Sequence, residues 1–241
     1  IPIVVFMLVI YTSQMIIGAI STEKIDKTLE TLLSAPVSRL SVILAKMLAA
    51  AIVALLNAVV YMLGFTGYLS SMLSQSIGDA SLGEVVGQAQ TMDDVMTQLG
   101  VNMTAGSYLL VGLQMFLTIL VTLSVSIILG ALVNDAKSAQ SVLMPIMVLA
   151  MIPYLISMMT DIQSLSPVVR TLLYAIPFTH TFSAMSNVMF GNMTLYWIGA
   201  GYQLAVFLIC ITIALRLFTS DRIFTMSINF GAKKKFSRSK G

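Results

Sequence analysis

Gln114, Thr118, Thr122 and Ser126 recur at every fourth position inside one long apolar run. On an α-helix that spacing places four hydrogen-bonding side chains on one face. Inside a membrane such a stripe lines a polar path, or it bonds to neighbouring helices, where a contact contributes about 0.6 kcal/mol on average. Asn57, an isolated amide in an earlier apolar run, carries the same two readings. The apolar runs hold no Asp or Glu in their interiors. Buried acids are the usual mark of an ion or proton relay. A charge-free wall therefore suits a hydrophobic or amphipathic substrate better than a sodium ion.

Other chemistries lack their residues. There is no G-x-x-x-x-G-K-[ST] loop, so the chain has no P-loop for hydrolysing ATP. There is no H-E-x-x-H pair and no G-x-S-x-G elbow, which speaks against an intramembrane hydrolase. Cys210 and His180 are the sole residues of their types, so an intrachain disulfide and the usual zinc sites are excluded. No metal site is expected. His180 reads as a packed, hydrogen-bonded side chain or as a pH sensor.

The elements that must position these groups are membrane helices. Of the 241 residues, 58% are hydrophobic and 10% charged, against about 25% charged in an ordinary soluble domain. Mean hydropathy is +0.95. The fold class expected is an all-α, polytopic membrane helix bundle forming one domain. Spans are expected at about 1–20, 40–63, 107–133, 139–159 and 194–218. Pro145 and Pro153 are each able to kink the fourth and free a backbone carbonyl, and Tyr196 and Trp197 are expected to mark an interface at the start of the fifth. The chain opens on Ile1, already in an apolar run, and is read as beginning inside a longer protein.

Between the first two spans lies STEKIDKTLETLLSAPVSRLSVILAK, Ser21 to Lys46. Ile25, Leu29, Leu32 and Leu33 make one apolar helical stripe. Pro36 disfavours helix at Ala35 and ends it, and Ser38 can cap the next helix. The expectation is an amphipathic helix over about 22–35, lying along the membrane surface. By itself it docks on a partner or merely stitches two spans together. Lys46 lies within the second span and can snorkel back to the headgroups.

Charge sets the orientation. With this connector, the Asn134–Ser138 connector and the basic tail 219–241 on the cytoplasmic side, every Lys and Arg except Arg170 falls inside or at the inner boundary. That requires an odd number of spans. The segment from Asp161 to Met193 holds two apolar stretches, each too short to cross, on either side of Pro177. It is expected to dip into the outer leaflet and return as a re-entrant helical hairpin, which needs cover from protein or water. The tail holds anionic lipid, at about 1 kcal/mol per near-surface charge, or is a disordered topology signal.

The connector also resembles the permease subunits of ABC-2 type ATP-binding-cassette transporters, with the sodium-efflux and multidrug-export branch as the closest flavour. The residues that carry the likeness are Glu23, Lys24, Thr28, Leu29, Glu30, Leu32, Leu33, Pro36, Val37, Ser38, Arg39 and Lys46. The Asn134–Gln140 connector and IPFTHTF, Ile176 to Phe182, look like further family features. The resemblance implies six spans in the full fold, the first of them and an outer domain preceding this chain. It implies a permease dimer of this chain with a second copy or a paralogue, and two cytoplasmic P-loop ATPase subunits that bind ATP and Mg. The connector would be the coupling helix on the ATPase, with short re-entrant helices before the last span.

The function expected is an ATP-driven exporter permease in the plasma membrane, C-terminus cytoplasmic, without an ATPase site or cofactor of its own. Its substrate would be a sodium ion, drug, peptide or lipid-like molecule. Membrane lipids are partners and nucleic acid is not. The rivals are an energy-independent channel, an ion-gradient-driven transporter and a non-transporting membrane scaffold.

Overall fold

The computed structural model describes residues 2–26, 39–76, 105–133 and 136–219. Every regular element among them is helical. The long helices are α1 (Pro2–Ile25), α2 (Arg39–Ser76), α3 (Ala105–Ala131), α4 (Ala136–Met159) and α8 (Met193–Thr219). Between α4 and α8 come a 3-10 turn (Ile162–Ser164) and three short helices, α5 (Pro167–Tyr174), α6 (Thr179–Phe182) and α7 (Ala184–Met189).

Among the described residues, four helices are long and apolar enough to cross a membrane: Pro2–Lys24, Gly106–Ala131, Ser138–Met159 and Met193–Leu217. They match four of the five expected spans to within a few residues. The fifth differs. α2 has 38 residues, about 57 Å at 1.5 Å per residue, and runs well past the expected end at Leu63. The apolar run in its sequence continues to Leu63, and glycines, serines and a threonine interrupt it from Gly64 on.

Contacts fix how the helices run. Phe6 near the start of α1 stacks on Tyr154 near the end of α4, centroids 4.7 Å apart. Ile20 near the end of α1 meets Gly130 at the end of α3. The Tyr196 hydroxyl at the start of α8 donates to the Leu110 carbonyl at the start of α3 (2.7 Å). So α1, α3 and α8 run one way, from an upper end to a lower end, and α4 runs back. α1 finishes at the lower end, where Glu23 pairs with Lys46 of α2, α3 begins at the upper end, and α2 is long enough to reach from one end to the other. α4 finishes and α8 begins at the upper end. Residues 160–192 therefore leave and return at the same end, as the odd span count demands.

α3 is the central post. Val111, Met115, Ile119, Val121, Leu123 and Ile127 are almost wholly buried. One set packs with Leu8, Ile16 and Ile20 of α1 and Ala50 of α2. The other packs with Val5 and Val9 of α1, Ile146 of α4 and Phe178 and Phe182 of the short helices. Its neighbours turn apolar side chains outward, among them Leu56 and Val60 of α2 and Ile198 and Ile209 of α8, as lipid contact allows. α4 continues unbroken through Pro145 and Pro153.

Candidate functional site

Two places bring the sequence-flagged residues together. The first is at the lower end. Glu23 and Lys24 were expected on a separate surface helix from about residue 22. They sit instead on the last turn of α1, which continues to Ile25. The reason is their partners. Lys24 Nζ donates to the Ala131 carbonyl at the end of α3 (2.7 Å), one of the acceptors that a helix end leaves unpaired. Glu23 forms an ion pair with Lys46 of α2, so Lys46 need not rely on headgroups alone. Gly130 lets α1 approach α3 closely, since a Cβ there would lie 3.2 Å from Ile20 Cβ. The ends of α1 and α3 and the first turns of α2 are thus joined. Thr28, Leu29, Glu30, Leu32, Leu33, Pro36, Val37 and Ser38 lie outside the described residues, as does most of the expected coupling helix. Arg39 begins α2.

The second is at the upper end, where the polar stripe meets the short helices. All four stripe residues are buried at 1% exposure or less, whereas Asn57 is exposed on α2. The structure does not group Asn57 with the stripe. The stripe's upper half faces Gln203 of α8. Gln114 Nε2 donates to Gln203 Oε1 (2.9 Å). Gln203 Nε2 lies within bonding distance of Thr118 Oγ1 (3.1 Å), Thr181 Oγ1 (2.8 Å) and the Pro177 carbonyl (2.7 Å). Thr118 sends its proton to the Gln114 carbonyl (3.1 Å). It must therefore accept from Thr181, with which it is also hydrogen-bonded. Lower down the roles change. Thr122 bonds to the Thr118 carbonyl of its own helix (2.7 Å), and Ser126 Oγ is buried with no partner among the described residues, like Ser13 Oγ on α1.

The short helices pose a carbonyl problem that this site solves. α5 stops at Tyr174 because Pro177 follows, and a helix end leaves its last carbonyls without intrahelical donors. Side chains supply them in turn. Thr179 Oγ1 donates to Leu173 O (2.6 Å). His180 Nε2 is 3.0 Å from Tyr174 O and is assigned as the protonated nitrogen, since a carbonyl only accepts. Tyr202 OH donates to Ala175 O (2.6 Å), and Gln203 serves Pro177. Tyr174 O, Ala175 O and Pro177 O gain donors in this way, while Leu173 O also takes the Ile176 N–H (2.9 Å), and each such bond removes the cost of a buried unpaired carbonyl.

His180 is also clamped between rings, stacked on Tyr174 (5.1 Å) and tilted against Tyr202 (5.0 Å). Burial lowers its pKa, partly offset by the bond to the Tyr174 carbonyl. It is a packed, bonded group, held neutral at pH 7. The neighbouring helix makes room for it. A Cβ on Gly199 would lie 2.8 Å from His180 Nδ1 and 3.1 Å from its Cβ. Gly199→Ala is expected to cost about 1–3 kcal/mol of stability through overpacking. In a His180→Ala background, which removes Nδ1 but keeps the Cβ at 3.1 Å, the same change should cost less. A thermal-melt double-mutant cycle in detergent measures the difference.

The sequence flagged Gln114, Thr118, His180 and the IPFTHTF run. It missed Gly199, Tyr202 and Gln203. The signal was present, because these three lie at i, i+3 and i+4 on one face of the last span, with Gln203 the lone amide in it.

Neither a curated protein nor a solved structure matches the chain. A family model described as "ABC-2 family transporter protein" matches residues 1–216. That match runs over all five long helices and the short helices between the last two, and it agrees with an all-helical bundle whose sequence carries no P-loop. The chain belongs to the ABC-2 family of transporter proteins.

Proposed function

We propose that this chain is the permease half of an ATP-driven exporter, moving substrate outward across the plasma membrane. A separate cytoplasmic P-loop ATPase binds ATP and Mg and supplies the energy. The second half of the pore is another copy of this chain or a paralogue. The lower end of the bundle is cytoplasmic, with the C-terminal tail beside inner-leaflet lipid. The elbow 27–38 docks on the ATPase through Leu29, Leu32 and Leu33, with Glu30 and Arg39 flanking them.

The observation that carries this reading is the lower-end joint. The elbow connects α1 to α2, and those helices are tied to each other by Glu23–Lys46 and to α3 by Lys24. A push on the elbow therefore moves three packed helices as a unit, which is what transmission of an ATPase stroke requires. A channel or scaffold needs no such joint. For the Gln114–Ser126 stripe we propose two duties. Gln114 and Thr118 fasten the short helices, and Thr122 and Ser126 remain candidates for the wall of a path that opens during the cycle, as does Asn57 at a permease–permease face.

The test is orientation and company. Single cysteines placed at Thr31 and Ser34, in a Cys210→Ser background, should react with membrane-impermeant maleimide only when the cytoplasmic face is exposed. The tagged chain should co-purify with a P-loop ATPase. Labelling of both positions from outside intact cells would sink the exporter reading.

A further inference from the structure

At the upper end, between the last turn of α4 and the short helices, lies a cleft of about 260 Å³. Its apolar walls are Ile162, Phe182 and Phe190, and its polar groups are Asp161 and the hydroxyls of Ser157, Thr160, Ser183 and Ser186. It shares no side chain with the Gln203 network.

The polar groups have a definite polarity. Ser157 Oγ sends its proton to the Tyr154 carbonyl (2.9 Å). Ser183 Oγ sends its proton to the Thr179 carbonyl (3.1 Å), with His180 O at 3.3 Å. Ser164 Oγ donates to the Asp161 carbonyl (2.7 Å), so in the Thr160–Ser164 pair (3.0 Å) Thr160 is the donor. Three of the four cleft hydroxyls have thus spent their protons on the protein and retain only lone pairs. Asp161 is acceptor-only too. One carboxylate oxygen takes the Gln163 N–H (3.1 Å), and no ion pair among the described residues neutralises it. The nearby cation, Arg170, directs Nη1 to the Gln163 carbonyl (3.5 Å).

An acceptor-rich cleft with one unpaired negative charge and two phenyl rings lacks only a donor that is cationic. We propose that this cleft binds a primary ammonium group carried on an apolar body, the ammonium on Asp161 and the hydroxyl lone pairs and the body against Phe182 and Phe190. Three N–H donors match the acceptors, and the rings offer apolar and cation–π contact. The same chemistry comes from a free amphiphilic amine or from the headgroup of an aminophospholipid.

The test uses the intact chain in phosphatidylcholine nanodiscs, with 2-phenylethylamine as probe and 2-phenylethanol as its neutral counterpart, read by saturation-transfer NMR. The amine is expected to bind about tenfold or more tightly than the alcohol, the loss expected on removing a charged hydrogen-bond partner. Asp161→Asn keeps the acceptor that caps the 3-10 turn and removes the charge, and should weaken the amine about tenfold. Ser186→Leu fills the cleft without touching Asp161 and should abolish binding, with melting temperature confirming that both variants fold. In nanodiscs containing phosphatidylethanolamine, displacement of the probe identifies the lipid headgroup as the occupant, and undiminished probe binding identifies a free amine. Equal binding of amine and alcohol, no binding of the amine, or full binding by both variants would overturn the proposal, whatever the outcome for transport.

Discussion

Leu33→Asp is expected to abolish ATP-driven transport while leaving the amount of chain in the membrane unchanged. An apolar anchor at the centre of a docking surface costs about 2 kcal/mol or more when lost, which weakens docking about thirtyfold. A buried carboxylate in its place adds a desolvation cost. Glu30→Ala removes a flanking charge and should have the same sign with a smaller size. The measurement is substrate flux and ATP hydrolysis in proteoliposomes holding both subunits, together with co-purification. A useful contrast is Glu23→Ala, which breaks the joint to Lys46 but leaves the elbow's apolar stripe intact. It should keep the ATPase bound and reduce flux per ATP consumed. Were Leu33→Asp to transport normally, the elbow would not be the point at which force enters.

Much of the architecture was legible because lipid imposes simple rules. A run of about twenty apolar residues must be helical and must cross, and basic residues sort to one side. That logic located four long helices closely. It also required residues 160–192 to return to the end they left, which Tyr196 on Leu110 and Phe6 on Tyr154 bear out. The helix that holds the expected 40–63 span is longer than that span, because hydropathy marks only where the apolar run ends. A helix does not stop there unless something breaks it, and residues 64–76 contain no proline.

The site was half legible for a related reason. A four-residue polar rhythm shows which face of α3 is special, but not what it faces. Gln203 lies 85 residues from Thr118, and only packing brings them together. Lys24 is similar. Sequence shows a charge beside an amphipathic stretch, while its use, holding the Ala131 carbonyl 107 residues away, depends on α1 and α3 ending at the same level. Gly199 appears unremarkable in the sequence. Its meaning is the imidazole lying where a methyl group would go.

Gln203→Ala tests the upper site at its centre. The change removes the partner of Gln114 Nε2 and the amide whose two N–H groups serve Pro177 O and the Thr118–Thr181 hydroxyl pair. Each interhelical contact contributes about 0.6 kcal/mol on average, and a buried group left unpaired costs about 1–3 kcal/mol. The expected loss is about 2–4 kcal/mol in a denaturant titration of the detergent-solubilised chain, with faster hydrogen exchange at Phe178–Phe182. Thr118→Val should cost less, because Gln203 retains Thr181 and Pro177. The double variant should cost less than the sum, since the two side chains share partners. A transport path makes the opposite demand. Residues that only line a path can be changed with little loss of stability and an altered substrate profile. If Gln203→Ala is as stable as the parent and exchanges no faster, these groups do not fasten the short helices. Thr122 and Ser126 give the internal comparison, because neither bonds to another helix among the described residues. Thr122→Val and Ser126→Ala should leave stability within about 0.5–1 kcal/mol of the parent, so any change in flux they cause reports on the path itself.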